Sequence, residues 1–77
     1  MTITVRLFGA LRQHLPDEQR GKTQLTLPTN ATIQTALDTL AIDEFVVVAL
    51  NDEQAADYDT SLQSGDTLLV FEPSAGG

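Results

Sequence analysis

The sequence lacks cysteine and tryptophan, and only four of its 77 residues are Lys or Arg. Without Cys, the chain cannot form a disulfide framework, a thiolate metal site or a cysteine nucleophile of its own. No stretch approaches the roughly 20 consecutive apolar residues that a membrane-spanning helix needs. The first ten residues alternate polar and apolar side chains, so we expect no signal peptide. These absences together favour a cytoplasmic protein.

Positive charge is confined to one end of the chain. The four cations lie in the first 22 residues beside two carboxylates, whereas residues 23–77 carry nine carboxylates and no cation, and the net charge is −7. Phosphate binding needs Lys and Arg, so we expect neither nucleic acid nor an anionic membrane surface as a partner. The acidic surface fits two hypotheses: it promotes solubility, or it is recognised by basic partner surfaces.

The hydrophobic pattern predicts a single small α+β domain. Residues 2–7 and 23–27 alternate at period two and are rich in β-branched side chains, which is typical of strands. The apolar runs 45–50 and 67–71 predict two more strands, because turn residues follow the first run and flank the second. Residues 10–15 fit a short helix or turn, and residues 54–57 fit a short return strand.

The clearest helix follows Thr32, which has the side chain of an N-cap residue. Apolar residues recur after it at the spacing of one helical face, at Ile33, Ala36, Leu37 and Leu40. The element order is therefore β-β-α-β-(β)-β. This order predicts a mixed sheet of four to five strands with one main helix packed on one face.

Few residues offer chemistry. His14 is the only histidine, and it has no partner at metal-ligand spacing, so we expect no metal site. The serines lie outside any G-x-S-x-G motif, and no glycine-rich phosphate loop is present. We therefore expect no bound cofactor and no catalysis by this chain alone.

The C-terminal segment carries the most specific pattern. A Gly65-Asp66 turn, an apolar strand, Phe71, Pro73 and the final Ala75-Gly76-Gly77 follow in this order. With the segment 7–12 and the helix, this pattern resembles the small sulfur carriers of the MoaD/ThiS type. These are β-grasp (ubiquitin-like) proteins that end in Gly-Gly. The resemblance implies a β-grasp domain over residues 1–72 and a flexible tail over 73–77.

Two positions depart from the family pattern. Glu72 precedes Pro73 where the family often has two prolines, and Ser74 replaces a commonly aliphatic residue. These departures leave the family resemblance in place and weaken the assignment to one branch of it.

The resemblance also implies a function, and the chain is most similar to the small subunit of molybdopterin synthase. In that family a ubiquitin-activating-type enzyme uses ATP to adenylate the terminal glycine, here Gly77, at the end of a tail that includes Ala75 and Gly76. Sulfur from a donor such as a cysteine desulfurase or rhodanese then converts the adenylate to a thiocarboxylate. The large synthase subunit, which is expected to hold the catalytic residues, uses this sulfur for the molybdenum cofactor.

Phe8 and Phe71 have two interpretations. The resemblance implies that they form a docking surface for the partners, whereas a small sheet also needs aromatic residues in its core. Three further functions stay open at this point. The chain could carry sulfur for thiamine thiazole or another product, it could modify proteins through an isopeptide bond, or it could be an interaction module with an inert tail.

Overall fold

The computed structural model describes residues 1–51 and 56–73, together with the backbone of residues 53–54. Their core is a five-stranded sheet with one α-helix. The strands are β1 (Thr2–Leu7), β2 (Lys22–Thr26), β3 (Val47–Leu50), β4 (Glu53–Gln54) and β5 (Thr67–Phe71), and the helix is α1 (Ile33–Thr39). Two 3-10 helices, Gly9–His14 and Asp17–Gln19, connect β1 to β2. The predicted α+β order is confirmed.

The first and last strands are neighbours in the middle of the sheet, whose order is β2-β1-β5-β3-β4. β1 pairs antiparallel with β2 and parallel with β5. β3 pairs antiparallel with β5 and with β4. Because β1 and β5 run in the same direction, their carboxyl ends lie side by side at one edge of the sheet.

Helix α1 begins at the predicted cap. The Thr35 N–H donates to the Thr32 hydroxyl over 3.4 Å, and the Thr32 N–H donates to the Thr35 hydroxyl over 3.2 Å. This reciprocal arrangement is a capping box in which Thr takes the usual place of Glu. The helix ends as Ala41 adopts a φ of +59°, and the Ile42 N–H donates to the Leu37 carbonyl over 3.0 Å.

One face of the sheet and the predicted face of α1 form the core. Alternate residues of β1 and β5 point to this face and are at most 3% exposed: Ile3, Val5, Leu7, Leu68 and Val70. The four predicted helix residues are also buried, and Leu37 is 1% exposed. The period-two and helical patterns in the sequence thus identify the side chains that pack together.

The prediction for residues 45–50 was wrong at the start of the run. Strand β3 begins at Val47, and Phe45 is 71% exposed. The Tyr58 hydroxyl accepts from the Val46 N–H over 2.9 Å and donates to the Val46 carbonyl over 2.5 Å. Val46 therefore bonds to a side chain where a strand residue would bond to its neighbour. The short return strand lies at residues 53–54, slightly before the predicted 54–57.

Replacing Leu37 with Ala should lower the free energy of unfolding by about 2–5 kcal/mol, because a fully buried side chain is lost and a cavity remains. Urea denaturation followed by circular dichroism measures this change. Gln34→Ala is the matched control, since Gln34 lies on the exposed face of the same helix. Equal unfolding midpoints for the two variants would show that the helix does not pack on the sheet as described.

Candidate functional site: the outer sheet face and the base of the C-terminal segment

The sheet face opposite α1 carries an apolar surface. Leu69 and Phe71 alternate with the buried residues of β5, and both are half-buried. The strand register places Phe71 opposite Val47 and Leu69 opposite Ala49. We call these four residues and Phe8 the outer-face patch. Ala49 is 5% exposed, and the other four residues of the patch keep partial solvent exposure.

The two aromatic residues of the patch are stacked on each other. The ring centroids of Phe8 and Phe71 are 4.6 Å apart, with 15° between the ring planes. The guanidinium carbon of Arg6 lies 5.5 Å from the Phe8 ring centroid, within the range of a cation–π interaction. Neither aromatic belongs to the buried core. Their position is therefore the outer face, and their docking role stays a prediction.

The cations surround the carboxyl end of β1. Arg6 lies directly opposite Lys22 across the β1–β2 pair. Arg12 and Arg20 line an open cleft of about 420 Å³ together with Asp17 and the connection between β1 and β2. Within residues 1–51 and 56–73, no Lys or Arg lies within 4.0 Å of a carboxylate oxygen; the ion-pair contact there joins His14 and Glu44 at 3.7 Å. The positive charge at this end is therefore not neutralised by close pairing.

Glu72 is the first residue after β5, and the C-terminal segment begins with it. Its Oε1 atom accepts a hydrogen bond of 2.6 Å from the Ala10 N–H, which comes from the first 3-10 helix. Gly9, immediately before Ala10, has a φ of +62°, and a Cβ atom there would collide with the Glu72 carboxylate. The sequence marked Glu72 only as a departure from the family pattern, because nothing local indicates a partner 62 residues away.

Three of the predicted site residues fall outside the described structure. Ala75, Gly76 and Gly77 follow Pro73, the last residue that the structure describes. Their predicted role as a reactive tail therefore stays a prediction, as does the boundary between residues 72 and 73. The structure does place the aromatic pair and the contact between Glu72 and Ala10 at the end of β5, from which these residues continue.

Neither a metal cluster nor a membrane helix is found in the described part of the chain. Residues 1–51 and 56–73 hold no group of three or more His, Cys, Asp or Glu side chains that could bind a metal ion. In the same residues, no helix is long and apolar enough to cross a membrane.

The domain has a β-grasp, ubiquitin-like fold, which is defined by the order of its strands and by the helix packed on one face of the sheet. Three similar solved structures show the same fold. The small archaeal modifier protein 1 of Haloferax volcanii matches with a TM-score of 0.76 and 22% identity, covering 94% of this chain and 97% of that one. A putative molybdopterin converting factor subunit 1 from Pyrococcus furiosus matches with a TM-score of 0.75 and 20% identity, covering 95% of this chain and 98% of that one.

The third is a complex of subunits 1 and 2 of the molybdopterin-converting factor from Helicobacter pylori, with a TM-score of 0.66, 21% identity and full coverage of both chains. The model of the ThiS family matches residues 5–77. The chain therefore belongs to the ThiS family, the ubiquitin-like sulfur carriers related to MoaD. No curated protein sequence matches it significantly.

The Phe8–Phe71 stack should be measurable in a double-mutant cycle. We expect a coupling energy of about 0.5–1.5 kcal/mol between Phe8→Ala and Phe71→Ala, as found for stacked aromatic pairs. Each single variant should cost less than Leu37→Ala, because both rings are only half-buried. Chemical denaturation of the four proteins gives the coupling. Strictly additive effects would show that the stack contributes nothing beyond burial.

Proposed function

We propose that this chain is the sulfur carrier subunit of a molybdopterin synthase, and that its Gly77 carboxylate becomes an adenylate and then a thiocarboxylate. The observation that carries the proposal is the ThiS family match, which extends through the terminal Gly76-Gly77. The chemistry supports it as well. The chain has no Cys and offers no other group suited to carrying sulfur covalently.

The terminal carboxylate needs activation before it can accept sulfur. A carboxylate is ionised at neutral pH, and its resonance makes it a poor electrophile. One carboxylate oxygen attacks the α-phosphorus of ATP on the partner enzyme, and pyrophosphate leaves. Sulfide-level sulfur then attacks the carbonyl carbon of the adenylate and displaces AMP with one proton released. The product is a thiocarboxylate, in which one oxygen of Gly77 has been replaced by sulfur.

The C-terminal residues suit delivery of this group into another protein. Glycines 76 and 77 have no Cβ, so they can pass through a narrow channel and adopt backbone angles closed to other residues. Residues 73–77 in extended form reach roughly 17 Å from the sheet, at about 3.4 Å per residue. In this proposal ATP is a substrate of the adenylating partner, and we expect this chain to bind no cofactor of its own.

The choice of molybdopterin synthase rests on the solved neighbours. Two of them are described as subunit 1 of a molybdopterin converting factor, and one of these is a complex with subunit 2. By analogy, the large subunit of the synthase would bind the outer-face patch and receive the sulfur. The other partners in this proposal are a ubiquitin-activating-type enzyme and a cysteine desulfurase or rhodanese, whose persulfide sulfur is brought to the sulfide level by a reducing thiol that is itself oxidised to a disulfide.

A second candidate function is protein modification. The Haloferax volcanii neighbour is described as a small archaeal modifier protein. Its TM-score exceeds those of both converting factor structures. In a modifier, the activated Gly77 carbonyl would be attacked by a lysine amine of a target, giving an isopeptide bond. The two functions share the adenylation step and differ in the nucleophile. A carrier for thiamine thiazole differs only in the final acceptor.

Deleting Gly77 should abolish thiocarboxylate formation and leave the unfolding midpoint unchanged, because the last buried core residue in the described part of the chain is Val70, seven positions earlier. Adding one residue after Gly77 should have the same effect, since the carboxylate becomes a peptide bond. Intact mass spectrometry after incubation with ATP, the cognate adenylating enzyme and a sulfide source measures the exchange of one oxygen for sulfur. Ser74→Ala is the control that alters the segment without touching the glycines.

Four outcomes distinguish the candidate functions. A mass that stays unchanged in the unaltered chain, with an enzyme shown to activate a related carrier, would refute the carrier hypothesis. Isopeptide conjugates recovered from cells would favour the modifier. Sulfur transfer to a pterin precursor in the presence of the large subunit would support the synthase, whereas transfer to a thiazole precursor would assign the carrier to the other branch.

Phe71→Ala should weaken binding to the large synthase subunit more than it weakens folding, because Phe71 lies on the outer-face patch and not in the core. Isothermal titration calorimetry compares this affinity with that of the unaltered chain. Phe45→Ala is the matched control, because it also removes an aromatic ring with solvent exposure. Phe45 lies away from the outer-face patch, in a groove that Leu37 and Tyr58 also line. Equal affinities for both variants would place the interface elsewhere.

A further inference from the structure

The hydrogen bonds between β1 and β5 follow a fixed register up to the end of the sheet. The Thr4 N–H donates to the Asp66 carbonyl over 2.9 Å, and the Phe8 N–H donates to the Val70 carbonyl over 3.1 Å. Each pair is separated by 62 positions. In a parallel pair, the next donor on the same side of the strand comes two residues later. The next bond of this ladder would therefore join the Ala10 N–H to the Glu72 carbonyl.

The structure makes that bond with the Glu72 side chain. Ala10 and Glu72 are again 62 positions apart, and the acceptor is the carboxylate Oε1 at 2.6 Å. The backbone cannot continue the ladder because Gly9, with its φ of +62°, turns the chain into the 3-10 helix. The carboxylate spans the resulting gap. A charged acceptor also makes a stronger hydrogen bond than a carbonyl would.

Glu72 occupies the position that controls how the C-terminal segment leaves the sheet. The residue before a proline is restricted to extended backbone, and Pro73 has a fixed φ. Phe71, one position earlier, is fixed by its stack on Phe8. The carboxylate contact adds a further restraint, because it ties the Glu72 side chain to the first 3-10 helix.

We propose that Glu72 is a positioning residue for the carrier reaction, which sets the direction of the C-terminal segment through its hydrogen bond to the Ala10 N–H. This inference rests on the proposed function and adds to it a residue outside the terminal glycines. A segment whose base is already ordered loses less conformational entropy when it enters a partner's channel. The contribution is to binding, and the chemistry at Gly77 is unaffected.

The experiment is ATP–pyrophosphate exchange by the cognate adenylating enzyme, with the carrier as the varied substrate. Glu72→Ala should raise the KM for the carrier by roughly three- to tenfold and leave kcat within about twofold, because binding is lost and chemistry is retained. Glu72→Gln keeps an oxygen acceptor of the same reach, so it should restore most of the affinity. Asp43→Ala, which removes an exposed carboxylate elsewhere, should behave like the unaltered chain.

Amide hydrogen exchange on the isolated carrier tests the contact independently of any partner. Exchange at Ala10 should accelerate several-fold in Glu72→Ala and stay near its original rate in Glu72→Gln. The Phe8 amide, bonded to the Val70 backbone, serves as the internal control because neither substitution removes its acceptor. Unfolding midpoints of all variants should agree closely, since Glu72 is exposed.

The outcomes separate this inference from the proposed function. If the unaltered chain supports no exchange with an enzyme that activates a related carrier, the proposed function fails and the positioning role fails with it. If the unaltered chain is active and Glu72→Ala has the same KM, only the positioning role is overturned. A fall in kcat with unchanged KM would also overturn the positioning role. An equal rise in KM in Glu72→Ala and Glu72→Gln would do the same.

Discussion

The parallel pairing of β1 with β5 is the constraint on which the site depends. It joins the first and last strands of the chain and places their carboxyl ends together. Because of this pairing, Phe8 meets Phe71 and Ala10 meets Glu72, although more than 60 residues separate each pair. Breaking the pairing would separate β2 and β1 from β5, β3 and β4. It would also part Phe8 from Phe71 and Ala10 from Glu72. The fold and the candidate site therefore depend on one set of backbone hydrogen bonds.

Much of the fold was predictable because its signals are local. Alternation in residues 2–7 and the helical spacing from Ile33 to Leu40 each identify an element and its buried face. The start of β3 was not predictable, since Val46 bonds to the Tyr58 hydroxyl twelve residues later. The aromatic pair was inferred through family resemblance, but its stacking depends on the register between distant strands. The contact of Glu72 depends on the same register and on the turn at Gly9.

The two faces of the sheet differ in how deeply their side chains are buried. The helix-side face holds the large aliphatic residues that stabilise the fold, and they are almost completely buried. The outer-face patch consists mainly of half-buried apolar residues that lie outside the core cluster. In the proposed function, the carrier binds two partners in turn and needs a surface from which each partner can be released. A patch of modest area suits that need, because small interfaces are typical of transient complexes.

Positive and negative charge are unevenly placed on the molecule. Four cations gather around the end of β1, while the rest of the chain is strongly acidic. In the field of a charged partner surface, this asymmetry produces a torque that orients the molecule. At physiological ionic strength, screening over about 8 Å limits the torque to the last steps of approach. The carrier would therefore correct its orientation late, after diffusion has brought the two proteins nearly into contact.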